Sequence, residues 1–373
     1  MQLVAGSQVG YYAQRLHQDT IFGSTGDFIT SPELSQMFGE IIALWCLNEL
    51  TNTDHRDDWQ LLELGPGTGK LMNDLLRVFH RFKESRMSIH LVEISDALID
   101  EQEKLLCGKI SNAINDQPWI RTNKTIHGFN IYWYKSLDDV PEKFTVFVAN
   151  EFLDALPIHQ FKRDSKDIWH EVYVNLNEEN RLCFMLSKSE NLHTKGLIPE
   201  YIRNDTNIDE WEVCPQAGLL ITQVCERILC DGGFGLFVDY GHDGSRKSLS
   251  LRAYKKMNQV NPLSEPGNCD ITSDVNFGYL KSLIQDRALV FGPVEQRHFL
   301  DELGISLRMK HLLHHCKTTE ERDSLTNAFK MLMSSDSGMG SAFKVISIFP
   351  QTLKTIIDKR GGAPPGFFSV NKR

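Results

Sequence analysis

The stretch Leu61-Leu62-Glu63-Leu64-Gly65-Pro66-Gly67-Thr68-Gly69-Lys70-Leu71 decides how this chain is read. Leu61, Leu62 and Leu64 form a short apolar strand. Leu71, Leu75, Leu76, Phe79 and Phe82 then recur at the spacing of an amphipathic helix. Between them lies Glu63-x-Gly65-x-Gly67-x-Gly69, and a strand–loop–helix setting is what gives such a motif meaning. Glycine lets the backbone turn tightly and lets a ligand approach it. The loop ends at a helix N-terminus, which favours a carboxylate or a phosphate.

Two nucleotide readings compete. The dinucleotide fingerprint Gly-x-Gly-x-x-Gly needs its third glycine one residue later than Gly69. A P-loop needs glycine where Leu64 stands and Ser or Thr where Leu71 stands. Glu93 follows the apolar residues Leu91-Val92, at the end of a second strand over Ile89–Glu93. A carboxylate at that strand end accepts protons from both ribose hydroxyls. Taken without other help, loop and acid indicate a nucleoside ligand, with a methyltransferase preferred over a dehydrogenase.

Outward from this unit, strands and helices alternate. Ser31-Pro32-Glu33 opens a helix, with Ser31 as N-cap, and Leu34, Met37, Phe38, Ile41, Ile42 and Trp45 make its buried face. Ser95 caps a helix running to about Cys107. Strands are expected near Asn130–Tyr134 and over Phe144–Ala149, the second apolar throughout, as a strand covered on both faces should be. This pitch predicts a doubly wound α/β sheet. After Pro157 the rhythm changes to a hairpin, Asp167–Leu176 with Arg181–Ser187, then a helix over about Gln216–Cys230 and a buried strand Gly235–Tyr240. Ser245–Asp270 reads as a long functional loop, helices return between Val275 and Lys330, and Phe343–Phe349 is a final strand. The expected organisation is an N-terminal flap and helix over 1–50, a catalytic domain over 51–350 with insertions near 160–215 and 245–335, and a poorly ordered Pro/Gly-rich tail over 351–373.

The 373 residues suffice for a large core, and the net charge of −9 argues against a nucleic-acid partner. No apolar run approaches the ~18–20 residues of a membrane span. Eight cysteines without a Cys-x-x-Cys pair suggest neither a zinc ribbon nor a disulfide framework, but a reducing compartment. His311, His314 and His315 beside Cys316 read as a helix C-terminal turn, so no metal is expected. The beginning of the chain reads as neither an Arg-rich transit helix nor a signal peptide.

Candidate catalytic residues come from strand ends. Glu151 and Asp154 follow the Phe144–Ala149 strand three residues apart, on one side if the segment turns helically. They stand at the carboxyl end of the sheet, where ligands bind in open α/β folds. Tyr240 is read as shaping a channel and His242 as relaying a proton. Asp27, Thr30 and Ser31 lie in a loop expected to fold over the cofactor.

Longer motifs carry a resemblance. Gly26-Asp27-Phe28-Ile29-Thr30-Ser31-Pro32-Glu33-Leu34-Ser35-Gln36-x-Phe38-Gly39-Glu40, Asn150-Glu151-Phe152-x-Asp154-Ala155-Leu156-Pro157, Asp239-Tyr240-Gly241, Leu251-Arg252-Ala253-Tyr254 and Pro266-Gly267-x-x-Asp270-Ile271-Thr272 resemble the MidA family of protein arginine methyltransferases, from about Gly10 to Pro350. His242-Asp243-Gly244 and Met339-Gly340-x-x-Phe343 look most like its mitochondrial complex I assembly members. The resemblance implies a class I S-adenosylmethionine-dependent methyltransferase with an added helical region. It implies methyl transfer to an arginine of complex I iron–sulfur subunit 2, as symmetric dimethylarginine, and a mitochondrial matrix location. The family usually reads Gly-Pro-Gly-Arg-Gly-Thr where this chain has Gly65-Pro66-Gly67-Thr68-Gly69-Lys70, and often has Asp where Asn261 and Asn276 stand. Two alternatives stay open: another methyl acceptor, or a non-catalytic assembly factor built on a cofactor-binding scaffold.

Overall fold

The computed structural model describes residues 30–111, 117–256, 258–336 and 338–368. Asp27 lies outside the described residues. The main sheet has nine strands. Along the chain these are β1 (Trp59–Leu64), β2 (Met87–Val92), β3 (Arg121–Lys124), β4 (Asn130–Tyr134) and β5 (Thr145–Asn150). Four strands of a separate sheet intervene, β6 (His159–Arg163), β7 (Trp169–Leu176), β8 (Leu182–Leu186) and β9 (Glu210–Val213). The main sheet resumes with β10 (Gly233–His242). A small sheet follows, of β11 (Arg252–Lys255), β12 (Asn258–Val260) and β13 (Asp270–Thr272). Then come β14 (Val275–Asn276), β15 (Ala288–Glu295) and β16 (Phe343–Pro350).

The main-sheet order is β15-β16-β10-β5-β1-β2-β4-β3, with β14 beside the end of β10. The five central strands are parallel; β16 and β3 run antiparallel to their neighbours. From β1 the chain moves outward to β2 and β4, then returns to place β5 on the other flank of β1. That reversal opens a crevice at the carboxyl ends of β1 and β5, where ligands bind in open α/β sheets.

Burial on both faces explains the apolar strands. Leu61, Ile89, Val146 and Val148 pack with the helices Gln36–Thr53 and Lys70–Arg81, whereas Leu62, Leu64, Phe147 and Ala149 pack with Pro215–Asp231 and Phe277–Ile284 on the opposite face. The expected α/β layering is therefore present.

Four local expectations change. The first helix is broken: Ser31–Leu34 is capped from Thr30, not Ser31, and a second helix Gln36–Thr53 starts from Ser35, whose hydroxyl accepts from the Met37 N–H at 3.2 Å. Ser31 is instead fully buried. The 245–270 stretch is not simply a loop, because β11 pairs antiparallel with both β12 and β13. The hairpin belongs to a four-stranded sheet, β8-β7-β6-β9, with its own core of Phe161, Trp169, Ile198, Ile202, Trp211 and Val213. The tail is anchored as far as it is described: Phe367 is buried against Trp45, whose indole N–H donates to the Pro365 carbonyl at 3.0 Å, and Arg360 pairs with buried Glu49 at 2.7 Å. Among the described residues no helix is long and apolar enough to cross a membrane.

Candidate active site

The crevice holds a cavity of about 620 Å³. Its floor is set where the strands end together: the Gly65 N–H donates to Val92 O, Glu93 N–H to Tyr134 O and Glu151 N–H to Val238 O, at 2.9–3.0 Å. The glycine loop turns with Gly65, Gly67 and Gly69 all at positive φ. At Gly65 a Cβ would stand 2.3 Å from the Phe152 ring, so only glycine fits.

The loop is braced from two sides. Gln102, fully buried, donates to the Gly67 carbonyl at 2.7 Å and to Glu93 at 3.2 Å, and accepts from the Trp133 indole at 2.9 Å. On the other side, Thr68 donates to Glu33 at 2.6 Å and Lys70 forms an ion pair with the same carboxylate. Thr68 and Lys70, the departures from the usual family loop, thus tie it to the Ser31–Leu34 helix.

Glu63, Gly65, Gly67, Glu93 and Thr30 line the cavity; Gly69 and Ser31 do not. Gly69 sits under Gln102 as the cap of the following helix, and the Ser31 backbone N–H donates to Glu151 at 2.8 Å. Burial, reinforced by Glu93, pushes the Glu63 carboxyl up to about 8. Burial also pushes Glu93 up to about 7. The Glu63 Oε2 and Asn150 Oδ1 atoms are buried without a protein partner, though both residues line the cavity. Unpaired buried acceptors are costly unless a ligand satisfies them. Two acceptors beside a glycine loop and a strand-end acid fit S-adenosylmethionine, which brings an ammonium, ribose hydroxyls and a sulfonium charge.

Beyond the loop stands a carboxyl cluster. Glu151 occupies a left-handed conformation at φ +51°, rare for a non-glycine residue. Its carboxyl accepts from Ser31 and from the Asn150 amide, and burial pushes it up to about 8. Asp154 accepts from the Thr272 hydroxyl at 2.6 Å and is likewise raised by burial. Asp239 lies beneath, accepting the N–H groups of Phe152, Leu153, Asp154 and Tyr240 at 2.8–3.2 Å. Burial and the neighbouring Asp154 and Glu151 push its carboxyl upward, while the backbone N–H groups pull the other way. Tyr240 lines the cavity with its ring 3.9 Å from Phe343, and the Arg252 guanidinium stands 5.3 Å from its ring centre. Burial raises the Tyr240 hydroxyl, which stays protonated. His242 does not line this cavity: Gly244 N–H donates to its Nδ1 at 3.1 Å, and burial lowers its pKa.

Sequence reading missed Gln102, Asp239 and Thr272 as site residues. Gln102 is one polar residue in a helix and carries no local signal. Asp239 and Thr272 do lie inside the quoted motifs Asp239-Tyr240-Gly241 and Asp270-Ile271-Thr272.

Together the glycine loop, the strand-end acids and the switch-point cavity define a class I S-adenosylmethionine-dependent methyltransferase. Comparisons agree. Residues 41–294 match the family described as "Putative S-adenosyl-L-methionine-dependent methyltransferase", and the chain belongs to that family. It is 54% identical over 370 residues to the Caenorhabditis elegans protein named "Protein arginine methyltransferase NDUFAF7 homolog, mitochondrial", across 99% of this chain and 85% of that one. It is 36% identical over 349 residues to the Homo sapiens protein "Protein arginine methyltransferase NDUFAF7, mitochondrial", across 91% of this chain and 76% of that one. The fold is shared with a Burkholderia thailandensis protein bound to S-adenosyl-homocysteine, at a TM-score of 0.75 and 24% identity, over 93% of this chain and 85% of that one.

Proposed function

We propose that this methyltransferase acts on protein arginine, transferring a methyl group from S-adenosylmethionine to an arginine of complex I iron–sulfur subunit 2 and yielding symmetric dimethylarginine in the mitochondrial matrix. The observation that carries the arginine reading is the carboxyl cluster of half-buried Glu151 and buried Asp154 beside Tyr240, opening onto the cofactor cavity. Two relatives named as arginine methyltransferases support it.

The cofactor supplies the electrophilic methyl group. Glu63, Gly65, Gly67 and Glu93 would hold it, with Asn150 at the boundary between cofactor and acceptor. A guanidinium has a pKa above ~12 and enters as a cation. Burial raises both the Glu151 and the Asp154 carboxyls, and the nearby Arg252 is already ion-paired with Asp274, so an arriving guanidinium favours their ionised forms and gains charged partners. Those partners orient its planar fork toward the methyl group, where in-line alignment supplies much of the rate. Neutral Tyr240 bounds the channel, and its hydroxyl donates a hydrogen bond. Methylation releases one proton from the attacking nitrogen, and the ionised Glu151 carboxylate beside it is placed to receive it. Ser31 and Thr272 hold the two carboxyls in place, and His242 takes no part in this scheme.

The test is calorimetry with S-adenosylmethionine, followed by methyl transfer to the complex I subunit with mass spectrometry of the product. Binding and symmetric dimethylarginine are expected. Binding without transfer to any arginine would overturn the reading in favour of a scaffold, and asymmetric product would overturn the symmetric assignment.

A further inference from the structure

Away from the cofactor cavity, three side chains of metal-ligating type converge among the described residues: His159, Glu171 and His193. No spacing marks them in sequence, since 12 and 22 residues separate Glu171 from the two histidines. The fold brings them together. His159 opens β6, and Glu171 lies on β7, its antiparallel neighbour. His193 sits in the first turn of the helix Leu192–Leu197, which packs back on β7.

Both imidazoles turn Nδ1 toward the same carboxyl group. Glu171 Oε1 stands 2.7 Å from His159 Nδ1, and His193 Nδ1 stands 3.0 Å from both Glu171 oxygens. Glu171 Oε2 is also held from behind: the Tyr173 hydroxyl donates to it at 2.7 Å and the Asn191 amide at 2.6 Å. Glu171 is buried, and among the described residues its ion-pair partners are His159 and His193, with no Lys or Arg. A buried carboxylate is ordinarily paired with a cation or coordinated to a metal.

We propose that His159, Glu171 and His193 bind a divalent transition-metal ion of zinc's class, with water in a fourth position. The donor set fixes the class: two imidazole nitrogens and one carboxylate oxygen suit zinc, whereas calcium and magnesium take oxygen ligands. Zinc bonds of about 2.0–2.1 Å set neighbouring ligand atoms roughly 3.3 Å apart around a tetrahedral ion. The three ligand atoms here lie within 4.8 Å of one another. The supporting contacts match as well. Ligating carboxylates are themselves hydrogen-bonded, as Oε2 is by Tyr173 and Asn191. Asn191 and Thr194 cap the helix reciprocally, which fixes the backbone that carries His193. The His193 side chain is exposed and leaves the ion an entry path. Bound there, the ion ties β6 and β7 to the helix that follows β8 and braces the sheet β8-β7-β6-β9.

The test is zinc binding to the metal-free full chain, by dialysis with metal analysis and by competition with a chromogenic chelator. One Zn2+ per chain is expected, with a Kd below about 10 μM, and excess Mg2+ or Ca2+ should not displace it. Co2+ in the same place should give a visible spectrum without a sulfur-to-metal band, which separates this site from the eight cysteines. His193→Ala, at an exposed position, should weaken zinc about 100-fold or more, and Tyr173→Phe, which keeps the ring and removes one donor to Oε2, about tenfold. Zinc should raise the unfolding temperature of the parent chain and not that of His193→Ala. His311→Ala, in the exposed pair His311 and His315, should leave the Kd unchanged. Absence of stoichiometric binding in that range would mean that the histidines only donate hydrogen bonds to Glu171 and would overturn the proposal. An unchanged Kd in His193→Ala, or a cobalt spectrum with a sulfur band, would place the ion elsewhere and overturn it too.

Discussion

The two ends of the central sheet carry cavities of opposite character. At the carboxyl end, acceptors and acids dominate the orphaned or raised groups: Glu63, Glu93, Asn150, Glu151, Asp154 and Asp239. At the amino end, the orphaned groups are two neutral indole donors and one amide oxygen. The difference follows from what each end can support. Where parallel strands end, three separate crossings bring Glu63, Glu93 and Glu151 side by side, and the glycine loop lets a ligand reach them. At the amino end the side chains come from the strand starts themselves, so aromatic rings that also serve the core form the walls.

Substitutions test the carboxyl end. The largest effect belongs to Glu151→Gln, which keeps shape and removes the charge that orients the guanidinium; methyl transfer should fall about 10³-fold in kcat while S-adenosylmethionine binding shifts less than about threefold. Equal losses in kcat and cofactor affinity would assign Glu151 to the cofactor instead. Asp239→Ala removes the acceptor of four N–H groups under the site and should cost about 3 kcal/mol in urea unfolding. Gly67→Val puts a β-branched side chain at φ +55° on the cavity wall, and calorimetry should show cofactor binding weakened about 100-fold or more.

A pH titration contrasts the same regions without mutation. Glu63 and Glu151 rise from the ordinary 4.5 to about 8 on folding, so the stability they contribute to the ligand-free protein is fully present below about 4.5 and is lost as pH rises through about 8. The cofactor is cationic at its sulfonium and ammonium and favours ionised Glu63, so its Kd should fall about tenfold between pH 6.5 and 8.5. At the amino end, His90 is pushed down to about 3 by burial and stays neutral throughout that range. A flat cofactor titration would mean that Glu63 is already ionised in the free protein. The smallest effect is expected for Thr68→Val, which loses one hydrogen bond to Glu33: about fivefold in cofactor Kd.

Much of the carboxyl-end site was legible in residue order. A strand, a glycine loop and a helix occupy adjacent positions, so Gly65, Gly67 and Glu93 could be placed from spacing, and Glu151 and Asp154 from the strand before them. The amino-end cavity was not legible: Trp59, Gln60 and Trp119 lie in no motif, and their unpaired atoms exist only because three chain segments meet. His242 shows the converse. Its position at a strand end suggested a catalytic proton relay, yet β10 continues through Gly241 and His242 and carries it out of the cavity.

The sequence by itself determined the α/β class, the glycine loop and the acids at the strand ends, because these depend on periodicity and on backbone freedom over a few residues. Only the tertiary structure decided which groups remain without partners. Asn150 and Gln60 look alike in sequence, and each has one buried oxygen without a partner. The amide protons go to different partners, those of Asn150 to its chain neighbour Glu151 in its left-handed conformation and those of Gln60 to Pro141, which is distant in sequence, and only the folded backbone fixes both contacts.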